Sequence, residues 1–210
     1  MTKMTVSRET ISWRWVTDRG IRLATGKATL PVYHMLMEAG LPGVVELVPA
    51  DGSLLVVLKP GTQAPPRLLD ILNSQSFDMT PARPGREHEI GVVFDGLDLP
   101  DVADKLKLSQ LGLIEGLCEI RFVVNFLGFQ PGFAYLEGLP EGWHMPRLET
   151  PRKSVPAGSV ALGGTYCGIY PAQGPGGWRL IGRTDARLFN PVATPPALFQ
   201  PGDSVRLVAA

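Results

Sequence analysis

NFLGFQPGFAYLEGLPEGWHMPRLETPRKSVPAGSVALGGTYCGIYPAQGPGGWRLIGRTDARLFN, residues Asn125–Asn190, is the stretch whose punctuation decides the fold. Glycine and proline recur throughout it, and short apolar runs lie between them. Such residues fix turns and let main chain approach a ligand or partner closely. The aromatics Phe126, Phe129, Phe133, Tyr135, Trp143, Tyr166, Tyr170, Trp178 and Phe189 exclude a disordered linker. Val155–Leu162, Tyr166–Tyr170 and Trp178–Gly182 read as strands, and short strands separated by turn signals predict a barrel.

Working outward, Ile90–Phe94, Arg121–Phe126 and Ser204–Val208 add strands, and Pro100–Lys107 and Ser109–Leu117 add short helices. The polar stretch SFDMTPARPGREHE, with Pro81, Pro84 and Gly85, predicts a boundary or linker. Before it, Ala28–Ala39 carries apolar residues at helical spacing and Gly40 can close the helix. Gly43–Pro49 and Ser53–Leu58 read as strands around an Asp51-Gly52 turn, and Pro66–Ser74 as a second helix. The order strand, helix, strand, strand, helix predicts a small α/β sandwich. The expected fold class is therefore α+β, with an N-terminal sandwich over 1–85 and a C-terminal β-barrel over 86–210.

Composition narrows the function. Lys plus Arg and Asp plus Glu stand at 20 each, and hydrophobic residues make up 44%. The balance argues against general electrostatic binding to nucleic acid or membrane. Two cysteines, Cys118 and Cys167, are too few for a disulfide framework and too far apart for a metal knuckle, so two reduced, buried thiols and no metal site are expected. The segment MTKMTVSRET lacks the apolar core of a signal peptide, and a cytoplasmic location is expected.

Stock catalytic signatures are missing: HExxH, CxxC and GxSxG do not occur, and the histidines are His34, His88 and His144. Gly20 and Gly26-Lys27 are spaced one residue too long for a phosphate loop, and Ala28 stands where the magnesium-binding hydroxyl belongs. Three constellations remain. Gly128–Leu136 (GFQPGFAYL) is a tight turn flanked by aromatics. Its Phe129, Pro131, Phe133 and Tyr135 either plug the barrel or form the wall of a pocket or interface. Pro146–Val160 places Arg147 and Arg152 straight after prolines, with Lys153 adjacent. Such guanidinium forks bind carboxylates or phosphates, and the amides of Ala157, Gly158 and Ser159 could add an anion nest. The alternative is a solvated basic surface, or ion pairs with Glu149 and Glu141. Gly174–Thr184 (GPGGWRLIGRT) carries Gly176, Gly177, Trp178 and Arg183 and reads as a floppy hairpin tip or a substrate-facing lip. Arg147, Arg152 and Arg183 are expected to converge in one cleft beside Trp178 and the Ala157–Ser159 turn.

The blocks FDGLDL (94–99), FLGFQPGFAYL (126–136), PRLETPR (146–152), VPAGSVALGG (155–164), GIYPAQGPGGWRLIGRT (168–184) and PGDSVRLV (201–208) resemble, in order, the KipI-like family. This family is also called allophanate hydrolase subunit 1, or the B subunit of 5-oxoprolinase. GVVELVPADGSLLVVL (43–58) resembles its N-terminal strand pair. The resemblance implies a cyclophilin-like barrel and a partner of the allophanate hydrolase subunit 2 type. It implies a third subunit as well, with which the assembly is an ATP-dependent hydrolase opening the lactam of 5-oxoproline to glutamate. Other members imply alternatives: inhibition of a sensor histidine kinase, or a carboxyltransferase role on a urea- or allophanate-related substrate. ATP would then be a cofactor of the assembled complex. One departure stands out: Leu117 takes the place of the family's usual histidine.

Overall fold

The structure is a computed structural model and describes residues 11–73 and 85–210. The chain divides into two units, Met1–Pro84 and Gly85–Ala210. The prolines read as a boundary, Pro81 and Pro84, lie outside the described residues.

The described part of the first unit begins with a hairpin, where the element order read from the sequence held a single strand. β1 (Ser12–Thr17) and β2 (Gly20–Ala24) pair antiparallel around Asp18-Arg19. A short 3-10 turn (Gly26–Ala28) leads into α1 (Thr29–Ala39), followed by β3 (Val44–Ala50), β4 (Ser53–Leu58) and α2 (Pro66–Asn73). The Thr25 and Thr29 hydroxyls share a 2.7 Å hydrogen bond at the start of α1, and Gly40, at φ 53°, ends it with its N–H on Met37 O. Only a residue without a Cβ adopts that left-handed cap without strain. The sheet order is β1-β2-β4-β3. Strand alternation sends Ile21, Leu23, Leu54, Val56 and Leu58 to one face, where Val32, Leu36, Leu68 and Leu72 join them in a buried core. The opposite face carries Arg14 and Arg22, both exposed.

The second unit is the expected barrel. Its strands are β5 (Glu87–Val92), β6 (Phe122–Leu127), β7 (Ala134–Glu137), β8 (Arg152–Val155), β9 (Ser159–Gly163), β10 (Tyr166–Ile169), β11 (Gly174–Gly176), β12 (Arg179–Arg183) and β13 (Ser204–Ala209). Seven of them form one sheet in the order β12-β9-β10-β7-β6-β13-β5. β13 runs parallel to β5 and antiparallel to β6. The sheet closes on itself where Val93 and Arg183 exchange two backbone hydrogen bonds of 2.9 Å. Two helices, α3 (Leu99–Leu106) and α4 (Gln110–Glu119), join β5 to β6. Pro100 sits in the first turn of α3, and the Ser109 hydroxyl accepts from Gly112 N–H to cap α4. Leu113 and Leu117, four apart on α4, are fully buried in the barrel core with Phe122, Val124, Leu136 and Val160. Leu117 is thus an interior packing residue.

Two strand readings need correction. Val155–Leu162 is not one strand: Pro156 interrupts the ladder and Gly158 turns back at φ 79°, so β8 and β9 are separate. The Gly-Pro-Gly run is not a loose hairpin tip. It is β11, paired with β8 through Gly174↔Val155 and Gly176↔Arg152.

The cysteines differ as well. Cys167 faces the barrel core and is fully buried, while Cys118 is half-buried, so the expectation of two buried thiols holds for only one. Burial pushes the Cys167 thiol from 9.0 up to about 12. Because the folded value is the higher one, the stability it contributes is complete below pH 9 and is lost as pH climbs from 9 toward 12. The melting temperature should therefore fall above pH 9, and less steeply in Cys167→Ala. A thiol reagent at pH 8 should titrate Cys118 alone in native protein and both cysteines in denaturant. Rapid reaction of two native thiols would contradict this burial.

Candidate functional site

Alternation along the barrel strands gives the sheet two distinct faces. Ala134 and Leu136 of β7, Val160 and Leu162 of β9, and Cys167 and Ile169 of β10 point into the barrel. Their neighbours Phe133, Ala161, Tyr170, Trp178 and Leu180 form a second cluster, with Val155 of β8, and Tyr135 and Tyr166 pack against it. Phe133 and Tyr135 therefore do not plug the barrel. They belong to an aromatic layer on its outer face.

Glycines make room for this layer. A Cβ at Gly163 would occupy the Trp178 indole, and one at Gly168 would sit 2.8 Å from Phe133 Cζ and 2.9 Å from Trp178 Cζ3. A Cβ at Gly176 would collide with the Tyr170 hydroxyl. The rings meet mostly edge to face: Phe133–Trp178 at 5.5 Å, Phe133–Tyr170 at 5.4 Å and Tyr135–Trp178 at 5.6 Å, while Tyr135 stacks on Phe126 at 4.2 Å. Such contacts hold rings rigidly and add about 0.5–1.5 kcal/mol per pair beyond area burial. Phe129 lies at the edge of the layer, 5.4 Å from Phe133, and is 57% exposed with φ at 67°. That conformation is strained for a bulky residue and fixes an apolar ring toward solvent. Pro131, two residues on, is exposed, and the Gln130 carbonyl oxygen Oε1 between them is buried without a hydrogen-bond partner.

The arginines divide into two groups. Arg147 is exposed and has no ion-pair partner among the described residues. Its backbone is held on both sides: Arg179 Nε donates to Pro146 O at 3.4 Å, and Leu148 N–H donates to Gly177 O at 2.7 Å. Arg179 is itself anchored on Asp101 at 2.5 Å. Arg152 pairs with Asp98 at 2.7 Å and donates to Trp178 O at 3.4 Å. Asp98 is buried, and its other oxygen accepts from Leu180 N–H at 2.6 Å. Arg183 lies at the far end of β12, about 13 Å along the strand from Arg179. There it pairs with Asp95 at 2.9 Å and stands opposite Ser159. The structure thus places Arg147 and Arg152 at the aromatic face and Arg183 with the Ala157–Ser159 turn. The amides of that turn are mostly engaged. Gly158 N–H donates to Tyr170 O and Ser159 N–H to Pro156 O, which leaves no open nest. Neither Glu141 nor Glu149 pairs with these arginines; their carboxylate partners come from the segment 95–101.

The two tyrosine hydroxyls at the site are weak acids. Burial raises Tyr135, and Arg147 draws it partly back; burial raises Tyr170, against a hydrogen bond with the Trp178 backbone and the fields of Arg147 and Arg152. Both remain neutral at physiological pH and can donate hydrogen bonds. The face therefore combines a buried aromatic layer, neutral tyrosine hydroxyls and an exposed guanidinium carried on a backbone that is held on both sides. Sequence reasoning missed Asp98, Asp101 and Arg179. Asp98 lies inside the FDGLDL block, but nothing local marks its partner 54 residues away. His88 pairs with buried Asp203 at 3.0 Å and meets Phe199 edge to face, away from these residues. Among the described residues no group of His, Cys, Asp and Glu could hold a metal ion, and no helix is long and apolar enough to cross a membrane.

Residues 5–199 match the family described as carboxyltransferase domain, subdomain C and D. The B subunit of 5-oxoprolinase from Escherichia coli O157:H7 is 42% identical over 90% of this chain and 87% of its own length. Its counterpart of the same name from Bacillus subtilis (strain 168) is 35% identical over 81% of this chain and 78% of its own. The solved protein TTHA0988 is 36% identical with a TM-score of 0.77, over 91% of this chain. This chain spans only 40% of that longer one. The urea amidolyase of K. lactis shares the fold, at 19% identity and a TM-score of 0.69, with all of this chain covering 15% of that protein. On the extent of these matches, the chain belongs to the family of 5-oxoprolinase B subunits, within the carboxyltransferase-type domains.

Proposed function

We propose that this chain is a non-autonomous subunit of an ATP-dependent 5-oxoprolinase, which opens the lactam of 5-oxoproline to glutamate together with a subunit-2-type partner and a third subunit. The observation that carries this reading is Arg147: an exposed guanidinium with no ion-pair partner among the described residues, held by its backbone beside a buried aromatic floor. A guanidinium in that setting suits a small carboxylate substrate better than a purely structural role. Arg152, which donates to the Trp178 carbonyl, supports that floor. Trp178, Phe133 and Tyr135 form the wall, with Phe129 and Pro131 at its rim and Gly176 and Gly177 behind it. Arg183 and the Ala157–Ser159 turn make a second charged edge for the partner. On this reading, phosphoryl transfer from ATP and attack on the lactam fall to groups from the partners.

The test is reconstitution. Purified alone, the chain should release no glutamate from 5-oxoproline and ATP; with both partners it should. Glutamate release by the single chain at the rate of the full complex would overturn the reading. Arg147→Gln should lower kcat/KM of the complex by about 10- to 100-fold, as expected when a charged hydrogen bond is removed. Its stability should change by less than about 0.5 kcal/mol, because the side chain is exposed. Full activity of the variant would return Arg147 to a solvated surface. The carboxyltransferase alternative rests on the matched family description; carboxylation of a urea-type substrate by the complex would favour it instead.

A further inference from the structure

Independent of that site, the open face of the N-terminal sheet carries an unexplained pair of charges. β1 and β2 place Arg14 directly opposite Arg22 and Ser12 directly opposite Ala24. Opposed residues of an antiparallel pair project from the same face with Cβ atoms about 4.5–5.5 Å apart. Residues two apart share that face, so the four side chains form one patch. Two small residues beside two long ones leave a depression, and a cavity of about 300 Å³ is lined by Ser12, Trp13, Arg14, Arg22 and Ala24. Across β2, Arg22 is flanked by Leu55 of β4 rather than by a carboxylate. Neither arginine has an ion-pair partner among the described residues. Like charges opposed across strands destabilise a sheet. A dianion seated between them reverses that repulsion and receives two planar donor forks at once.

We propose that this depression binds a phosphate dianion, with Arg14 and Arg22 as the two forks and the Ser12 hydroxyl at its floor. A phosphate group carries nearly two charges near neutral pH, matching the pair, whereas a single carboxylate carries one. The phosphate is either free or borne by a small phosphate monoester, and the experiment separates these. The full chain is titrated at constant ionic strength with inorganic phosphate, glycerol phosphate, sulfate, acetate and chloride, following the Arg14 and Arg22 side-chain and the Ser12 and Ala24 backbone amide resonances. Saturable binding of phosphate is expected, stronger at pH 8 than at pH 6, and tighter for the monoester if an esterified phosphate is the natural ligand. Arg14→Gln and Arg22→Gln should each weaken it at least about tenfold, while melting no lower than the parent in phosphate-free buffer because a repulsion has been relieved. Ala24→Glu should abolish binding and raise the melting temperature by pairing the arginines internally. Equal responses to acetate or chloride, unchanged affinity in the glutamine variants, or perturbations centred away from Arg14 and Arg22 would each overturn the proposal.

Discussion

Gly158→Ala is expected to destabilise the barrel unit by about 3–5 kcal/mol, combining left-handed strain with a backbone collision. Gly158 sits at φ 79°, where a side chain is disfavoured. Its added Cβ would fall on the carbonyl oxygen of Thr184, a main-chain atom that no rotamer change can move. The same residue receives Thr184 N–H on its oxygen at 2.9 Å and donates to Tyr170 O at 2.8 Å. It therefore joins the starts of β9 and of the segment after β12 to the end of β10, and relief of the clash has to break one of those bonds. Hydrogen exchange at β9 and β12 amides reads the barrel unit alone, which matters because a two-unit chain need not melt in one step. A loss of protection worth less than about 1 kcal/mol would show that the turn can relax, contrary to the packing described.

The second large effect concerns Arg152. An exposed Arg-to-Lys change is ordinarily close to neutral, and the sequence suggests no more than that. In the structure, however, the Arg152 side chain is 25% exposed and that of Asp98 11% exposed. Arg152→Met should cost about 3 kcal/mol, because it strands a buried carboxylate with Leu180 N–H as its remaining partner. Arg152→Lys should cost less, about 1 kcal/mol, since one ammonium cannot copy the fork that reaches both Asp98 and Trp178 O. Adding Asp98→Asn to Arg152→Met should recover part of the loss, giving a coupling of about 1–3 kcal/mol in a double-mutant cycle. Additive effects would mean that the pair contributes nothing beyond its separate packing.

These residues also show what a sequence carries and where it stops. β6 was readable as a run of β-branched and aromatic residues, Phe122, Val123, Val124 and Phe126, and α4 because Leu113 and Leu117 lie one turn apart. β8 and β9 merged into one reading because apolar Val155 and Val160 flank the break, and the break depends on the backbone angle at Gly158. β11 was hidden because Gly-Pro-Gly has no side-chain pattern to alternate; Tyr170 and Gln130 lie where side chains at Gly176 and Gly174 would stand. At the site, Trp178, Tyr135 and Phe133 stood out as aromatics, but which face they occupy depends on strand register. The partners of Arg152, Arg179 and Arg183 come from 95–101, far away in sequence, and no local periodicity reports such a pairing. The hairpin of β1 and β2 shows the same limit: the cross-strand meeting of Arg14 and Arg22 is a fact of register alone.

Closure of the seven-stranded sheet has a consequence for how anything can bind to it. An open sheet would leave β5 and β12 as borders with unpaired main-chain groups, the template onto which a foreign strand adds. Here the Val93–Arg183 exchange, together with the bonds from Gly96 N–H to Ile181 O and from Asp98 N–H to Leu180 O, occupies the β12 border with the segment that follows β5. A companion protein cannot lengthen this sheet by one strand at the seam without first unzipping it. Recognition there falls to side chains, so its selectivity is written in residue identity and can drift or be redesigned without disturbing the main-chain framework beneath.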